Sequence, residues 1–459
     1  MAELPQKVRG MQDIFGEYQR YFNFLKKVAR HEFRKNGFTR ISTPIIEMKD
    51  LIVRSAGMGS DVVSKELYEF QDKKGRELVL KPESTAGVMR SYIENNMMEE
   101  PQPVYLYYIE PHFRYDRPQK GRYRQFHQVG GEIIGELDPV LDAKMIYVGC
   151  SMLDSLGLKG KYTVKLNSIG TAKEREKYML ELTSFFENKK HLLDETDLAR
   201  LAVNPLRLLD SKNEDTKELL KVAPKITDFL KKDSLEFYNS VKEYLDILGV
   251  AYEEDHTLVR GLDYYSHTVW EWVDGSGRTQ DAFGGGGRYD ELAKVLGYKE
   301  AIPAVGYAMG CERLIEAVMD AGVKLRNKDS IHLYFIQLGD DAKKLMLPLS
   351  IEARNRGLNS LLSLGTPSLK VQMKKANRLN AQFVAIVGIM EAKKGVCQLK
   401  DMVRGTQTEV KISELLDRVC EFVNPSELDF YSPTKDFTIE LLPEAPSTEV
   451  TEETQSTQA

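Results

Sequence analysis

The sequence predicts a chain of mixed α and β structure in two or three domains: a first region built on antiparallel strands, a helical insertion within it, and a C-terminal domain of βαβ type. Three observations carry that expectation. The 459 residues, 42% hydrophobic and 29% charged, exceed an ordinary single domain and leave apolar mass for more than one core. VYLYYIEPHFR (104–114) and QFHQVGGEIIG (125–135) are strand-like runs around a polar loop, which reads as a long-looped antiparallel hairpin. Beyond Lys328, the apolar runs HLYFIQLG, LNSLLSLG and QFVAIVG alternate with helical stretches beginning near Asp341 and Ser368, the pattern of a parallel sheet.

The remaining elements follow in order. From Tyr18 to Asn36 the residues Tyr18, Phe22, Leu25, Val28, Ala29 and Phe33 recur at three-to-four spacing and Gly37 follows, so the spacing predicts an amphipathic helix with a glycine stop. FTRISTPII (38–46) is β-branched but carries Pro44, which cannot donate to a ladder, and so reads as an edge strand or strand end. Residues 171 to about 245 are rich in Lys, Glu, Asp and Leu at helical spacing and form the insertion. HTLVRGLDYYSHTVWEWV (256–273) and AFGGGGRYDEL (282–292) are strand-like, and AVGYAMGCERLIEAVM (304–319) reads as strand, turn, helix. From about Pro443 the chain is polar with little to bury and is expected to be disordered.

Composition narrows the function. No window approaches ~18 consecutive apolar residues and MAELPQKVRG lacks an apolar signal core, so neither membrane spanning nor secretion is expected, and the chain is placed in the cytoplasm. Cys150, Cys311, Cys397 and Cys420 form no CxxC pair, which argues against a zinc ribbon or a disulfide framework. The net charge of -5 is unevenly spread: residues 421–459 hold nine acids against Lys435, a net of -8, leaving +3 on residues 1–420. Twelve Lys and Arg against five acids give 331–405 a net of +7. Such a segment suits a phosphate-bearing partner, although a solvated basic face fits the same charge.

Two constellations carry chemistry. Arg114, Arg117, Lys120, Arg122 and Arg124 lie between the hairpin strands beside Asp116, and arginine forks there suit polyphosphate, with Arg114 positioned at a strand end. LVRGLDYY (258–265) packs Arg260, Gly261, Asp263, Tyr264 and Tyr265 into one run, and a tyrosine face on the core is the competing explanation. The glycines of GGGGR (284–288) match neither the Walker nor the dinucleotide pattern, and Arg313 in GYAMGCERL suits a phosphate or a neighbouring carboxylate equally. His112 and His127 lack convergent ligands and read as packing residues, and no metal site from protein ligands is identifiable.

Taken in order, these segments resemble the class II histidyl-tRNA synthetases over nearly the whole chain. GFTRISTPII is similar to class II motif 1, FRYDRPQKGRYRQFHQ to motif 2 and GYAMGCERL to motif 3, while LVRGLDYY and GGGGRYDEL resemble the two signatures that set histidyl enzymes apart. LKPESTA and RSAGMGSDVVSKELY add further similar text.

The resemblance implies an α+β class II catalytic domain, an antiparallel sheet flanked by helices, over 1–170 and 246–325. It further implies a helical insertion at 171–245 and an α/β anticodon-binding domain at 329–423, with an acidic extension at 424–459. It implies a homodimer with motif 1 at its interface, ATP with Mg²⁺, L-histidine and tRNA(His) as partners, and ligase activity through a histidyl-adenylate. Arg114 would hold the α-phosphate, Arg122 and Arg313 the outer phosphates, and Arg260 would bridge the substrate carboxylate and α-phosphate. Glu83, Thr85 and Gln128 would take the α-ammonium, with Ser84 beside them, while Glu132 and Tyr265 would grip the imidazole and Tyr264 line the pocket. Three positions depart from the family text: Asp116, the presumed adenine contact, stands where Glu is common, Lys81 where Arg is usual, and Ser84 where Gly or Leu is common. The competing reading is a catalytically inactive paralogue acting as a histidine-sensing regulatory subunit.

Overall fold

A computed structural model describes residues 4–57, 60, 62–117, 121–262, 264–275, 282–325, 331–365 and 368–423. Lys120, Asp263, and the extension 424–459 with its expected disorder lie outside them. The chain divides into two compact units, 1–325 and 326–459.

The strands of the first unit, in chain order, are Thr39–Arg40 (β1), Ile46–Met48 (β2), Tyr68–Gln71 (β3), Glu77–Leu80 (β4), Val104–Phe113 (β5), Gln125–Ile134 (β6), Tyr162–Ser168 (β7), Glu253–Glu254 (β8), Ser266–Asp274 (β9), Ala282–Arg288 (β10) and Ala304–Gly310 (β11). Eight of them form one sheet in the order β1-β5-β6-β11-β10-β9-β7-β8. Its centre is antiparallel, with a parallel pair at each edge, β1 on β5 and β7 on β8. β2, β4 and β3 make a small separate sheet. The expected hairpin is present as β5 and β6, ten residues each, with Glu110 opposite Gln128. Pro44 falls between β1 and β2, where the chain leaves one sheet for the other.

Alternation along the strands sorts two cores. Tyr107 and Ile109 face a layer formed by the helices Gly16–Lys35, Pro139–Ser155, Lys232–Ile247 and Cys311–Asp320, into which Trp270 and Trp272 are fully buried. Each indole removes about 150–250 Å² from water, roughly 4–6 kcal/mol at about 25 cal/mol per Å². Leu106 and Tyr108 face the opposite core, shared with helix Thr85–Glu94 and with Tyr178, Leu182 and Phe186 of helix Ala172–Glu187. The first helix ends as its spacing predicts, at Lys35, with Gly37 at φ 89° closing it.

Two readings need correction. The described residues of LVRGLDYY are irregular backbone rather than strand, and β9 begins only at Ser266. In a strand Tyr264 and Tyr265 would face opposite ways, whereas both are buried with ring centroids 4.6 Å apart. In the GYAMGCERL segment β11 runs directly into helix Cys311–Asp320 at Gly310, with no intervening turn.

In the second unit, Leu333–Gln337 (β12), Ser360–Leu362 (β13), Phe383–Val387 (β14), Val396–Asp401 (β15) and Gln407–Lys411 (β16) order as β13-β12-β14-β15-β16. The βαβ expectation holds for β12, β13 and β14, which are parallel, with helices Asp340–Asn355 and Leu369–Arg378 between them. An antiparallel hairpin, β15 and β16, extends the sheet. Asp401 Oδ1 makes its turn by accepting from the amides of Val403 and Arg404.

Candidate functional site

A cavity of about 1580 Å³ opens on the face of the first unit's sheet that carries Tyr108. That exceeds the ~300–1,000 Å³ usual for one small ligand. Ten of the twelve predicted site residues line it: Glu83, Thr85, Arg114, Asp116, Arg122, Gln128, Arg260, Tyr264, Tyr265 and Arg313. Ser84 and Glu132 are not on its wall. Ser84 is turned to the buried His112, Oγ to Nε2 at 2.7 Å. Glu132 sits behind Thr85 and accepts from Thr85 Oγ1 at 2.9 Å, Tyr108 OH at 3.3 Å and Tyr289 OH at 2.5 Å.

One part of the cavity is cationic. Arg114 leaves the end of β5 with its guanidinium 5.4 Å from the Phe126 ring centroid and its Nε donating to the Pro82 carbonyl at 3.0 Å. Arg122 Nη1 meets Asp116 Oδ2 at 3.1 Å. Arg313, in the first turn of its helix, donates from Nη1 to the Ala282 carbonyl at 2.7 Å. Burial lowers the Arg313 pKa and the Arg122 charge lowers it further, the Glu271 carboxylate opposes them, and Arg114 adds to the lowering, so cations crowd this part of the cavity. Arg260 is paired with Glu271 and lies 5.7 Å from the Tyr265 ring centroid. Gly285 makes room for it: a Cβ there would stand 2.7 Å from Arg260 Nη1.

The other part is polar and buried. Glu83 caps helix Thr85–Glu94, accepting from the amides of Thr85 at 2.6 Å and Ala86 at 2.9 Å, yet burial still raises its pKa. Burial likewise lifts Glu132 to about 8. Gln128 Oε1 is buried with no hydrogen-bond partner among the described residues, an acceptor awaiting a donor. Tyr264 stacks toward Tyr265 and stands edge-on to Tyr289 at 5.7 Å. The Glu132 carboxylate fits only because residue 306 is glycine, since a Cβ there would fall 1.5 Å from Glu132 Oε2.

Sequence reasoning missed several members. Glu271 lies between Trp270 and Trp272 on β9. A charge between two core indoles must face the other side of the sheet, and that alternation was the available signal. Tyr108 and Tyr289 were visible only as strand-like residues. Glu312, at the helix start, accepts from the His127 amide and from His127 Nδ1 at 2.8 Å, so His127 is held by a carboxylate as well as packed on Phe22.

Comparison with known proteins follows this geometry. Residues 10–314 match the family model described as histidyl-tRNA synthetase, and residues 332–421 match an anticodon binding domain. The chain is 40% identical over 415 residues to the histidine–tRNA ligase of Halothermothrix orenii, covering 90% of this chain and 99% of that protein. It is 41% identical over 419 residues to that of Thermosipho melanesiensis, covering 91% and 99%. Among solved structures it is similar to apo S. aureus histidyl-tRNA synthetase, with a TM-score of 0.74 and 33% identity over 91% of this chain and 100% of that one.

Proposed function

The chain belongs to the histidyl-tRNA synthetase family, and from that premise we propose that it joins L-histidine to tRNA(His) with ATP, forming histidyl-adenylate and then histidyl-tRNA. The observation that carries the reading is the division of one cavity into a guanidinium part and a buried polar part around Gln128 Oε1.

Arg114 holds the α-phosphate at the rigid end of β5, and Arg122 and Arg313 take the outer phosphates, relieving their mutual repulsion. Arg260 bridges the histidine carboxylate and the α-phosphate as the carboxylate attacks and diphosphate leaves. The chemistry is positioning and electrostatics, because every charge that develops meets a guanidinium already in place. Gln128 Oε1, Glu83 and Thr85 receive the α-ammonium, and Tyr265 binds one imidazole nitrogen. Glu132, a protonated acid at neutral pH, accepts from Thr85, Tyr108 and Tyr289 and has its own O–H left to donate to the unprotonated ring nitrogen. A site that bonds both ring nitrogens strands buried polar groups when an analogue lacks them, which supports discrimination on the order of 10⁴.

Mg²⁺ enters with ATP, held mainly by phosphate oxygens and water as suits that ion. Among the described residues no three His, Cys, Asp or Glu side chains cluster as a metal cage. The tRNA partner is supported by the exposed Lys370, Lys374, Lys375 and Arg378 along one helix of the second unit. A homodimer is supported by Ile45, Ile46, Met48 and Phe70, apolar yet 40–47% exposed around the motif 1 segment.

The test is diphosphate exchange into ATP with each of the twenty amino acids. Exchange with histidine alone is expected. Absence of exchange with any amino acid, alongside tight histidine binding, would instead identify the sensing paralogue.

A further inference from the structure

The run 258–265 carries Arg260 and both pocket tyrosines, yet its described residues are irregular backbone with no sheet ladder to fix them. Such a segment holds one geometry only when other groups satisfy its carbonyls. Two side chains do this. At one end Asn167, near the end of β7 and 1% exposed, donates from Nδ2 to the Leu258 carbonyl at 3.0 Å. At the other, Arg175 donates from Nη1 to the Tyr265 carbonyl at 2.7 Å.

Both anchors lie on one short, braced path. Ile169 donates its amide to the His267 carbonyl at 2.8 Å, and His267 returns its amide to the Gly170 carbonyl at 2.9 Å. Thr171 and Glu174 then form a reciprocal cap at the start of helix Ala172–Glu187. Arg175 stands in the first turn of that helix, where a cation runs against the helix dipole, so its placement does not serve the helix. Its length and fork instead reach across to the tyrosine carbonyl.

We propose that Asn167 and Arg175 are positioning residues for the activation step: Asn167 aims Arg260 at the reacting phosphate, and Arg175 seats Tyr264 and Tyr265 against the imidazole. The first helix of the insertion is thereby tied to the histidine pocket through one guanidinium. The assignment rests on the histidine-activation reading above, and it goes beyond that reading by naming what holds the catalytic run in place.

The two anchors act at opposite ends, so their losses separate. In histidine-dependent diphosphate exchange on the full chain, Arg175→Ala is expected to raise the KM for histidine about tenfold, the scale of one buried hydrogen bond, with kcat changed less. Asn167→Ala is expected to lower kcat about tenfold with a smaller change in KM. Arg175→Lys, which keeps a donor, should recover most of the affinity. A double-mutant cycle decides whether Arg175 works through the tyrosine: on a Tyr265→Phe background, Arg175→Ala should cost less than about twofold further. Fully additive losses, or identical KM and kcat effects at both anchors, would overturn the proposal. Should Arg175→Ala fail to fold by thermal melting, the same cycle with Arg175→Met, which keeps the aliphatic stem and removes the donors, gives the answer. Wild-type exchange with histidine tests the underlying reading by itself: wild-type exchange with additive losses removes only the positioning role.

Discussion

Glu132 offers the most direct physical test of the site. It is fully buried, and burial outweighs the hydrogen bonds from Tyr289 and Thr85 that favour the carboxylate, while the Glu83 charge adds to the rise, so its pKa climbs from 4.5 to about 8. Between those values the native state keeps a proton that the unfolded chain has released. Stability therefore falls as pH rises through that window and levels above it. At about 1.36 kcal/mol per decade, the whole span is worth at most about 5 kcal/mol, of which about 3 kcal/mol lies between about pH 5.5 and about pH 8. Glu132→Gln keeps the shape but is neutral throughout. The chain's two tryptophans, Trp270 and Trp272, are both buried in the same unit, so urea unfolding followed by their fluorescence reads the relevant transition. The difference in unfolding free energy between wild type and variant should tilt by about 3 kcal/mol across that range, wild type gaining toward acid. Parallel pH profiles would refute the assignment of a protonated Glu132 at neutral pH.

Other outcomes follow from the same geometry. Gly306→Ala drives a Cβ into Glu132 Oε2 and so breaks its bonds from Tyr289 and Thr85; at about 1 kcal/mol for each bond to a neutral acid, kcat/KM for histidine should fall about thirtyfold, and an unchanged value in exchange kinetics would contradict the packing. Arg260→Ala should cut the exchange rate far more than it weakens histidine binding measured by equilibrium dialysis, because the charge it meets develops in the transition state; equal losses would count against that role. Deleting 326–459 should spare exchange and abolish most charging, and tRNA binding to the full chain should weaken steeply with salt in filter-binding titrations; charging that survives deletion would remove the second unit from tRNA recognition.

What the sequence made legible was whatever depends on local period or on composition. The helix at 16–35 is written in its spacing, and the β5–β6 hairpin and the βαβ start of the second unit in short runs of β-forming residues bounded by polar loops. The run at 258–265 was misread as strand because Val259, Tyr264 and Tyr265 are β-formers, although Gly261 and Asp263 are not, and the anchors Asn167 and Arg175 are tertiary. The β15–β16 hairpin was missed because β16 is largely exposed with a single apolar residue, Val410, even though Asp401 and Gly405, at φ 73°, mark its turn. Among the candidate site residues, Arg114, Arg122, Arg260, Tyr264 and Tyr265 announced themselves by type and density. Glu271 and Tyr289 did not, since their roles arise from which face of a strand, or which neighbour's carboxylate, they meet across more than ten residues of sequence.

The three departures from the family text are informative for the same reason, because each is answered by a local partner. Lys81, 1% exposed where Arg is usual, donates to Thr43 O at 3.2 Å and Thr43 Oγ1 at 3.1 Å and lies 3.6 Å from Glu110, so one ammonium serves the acceptors that a fork would otherwise share. Ser84 has its partner in His112, whose pKa burial holds well below the ordinary range, with the charges of Lys81 and Arg114 depressing it further. The ring is thus neutral, and one nitrogen is free to pair with the hydroxyl. Asp116, a methylene shorter than the usual Glu, accepts from Arg122 and from the Arg117 amide. With its carboxylate already bonded to the Arg122 guanidinium and the Arg117 amide, Asp116 could contact adenine only by displacing that ion pair.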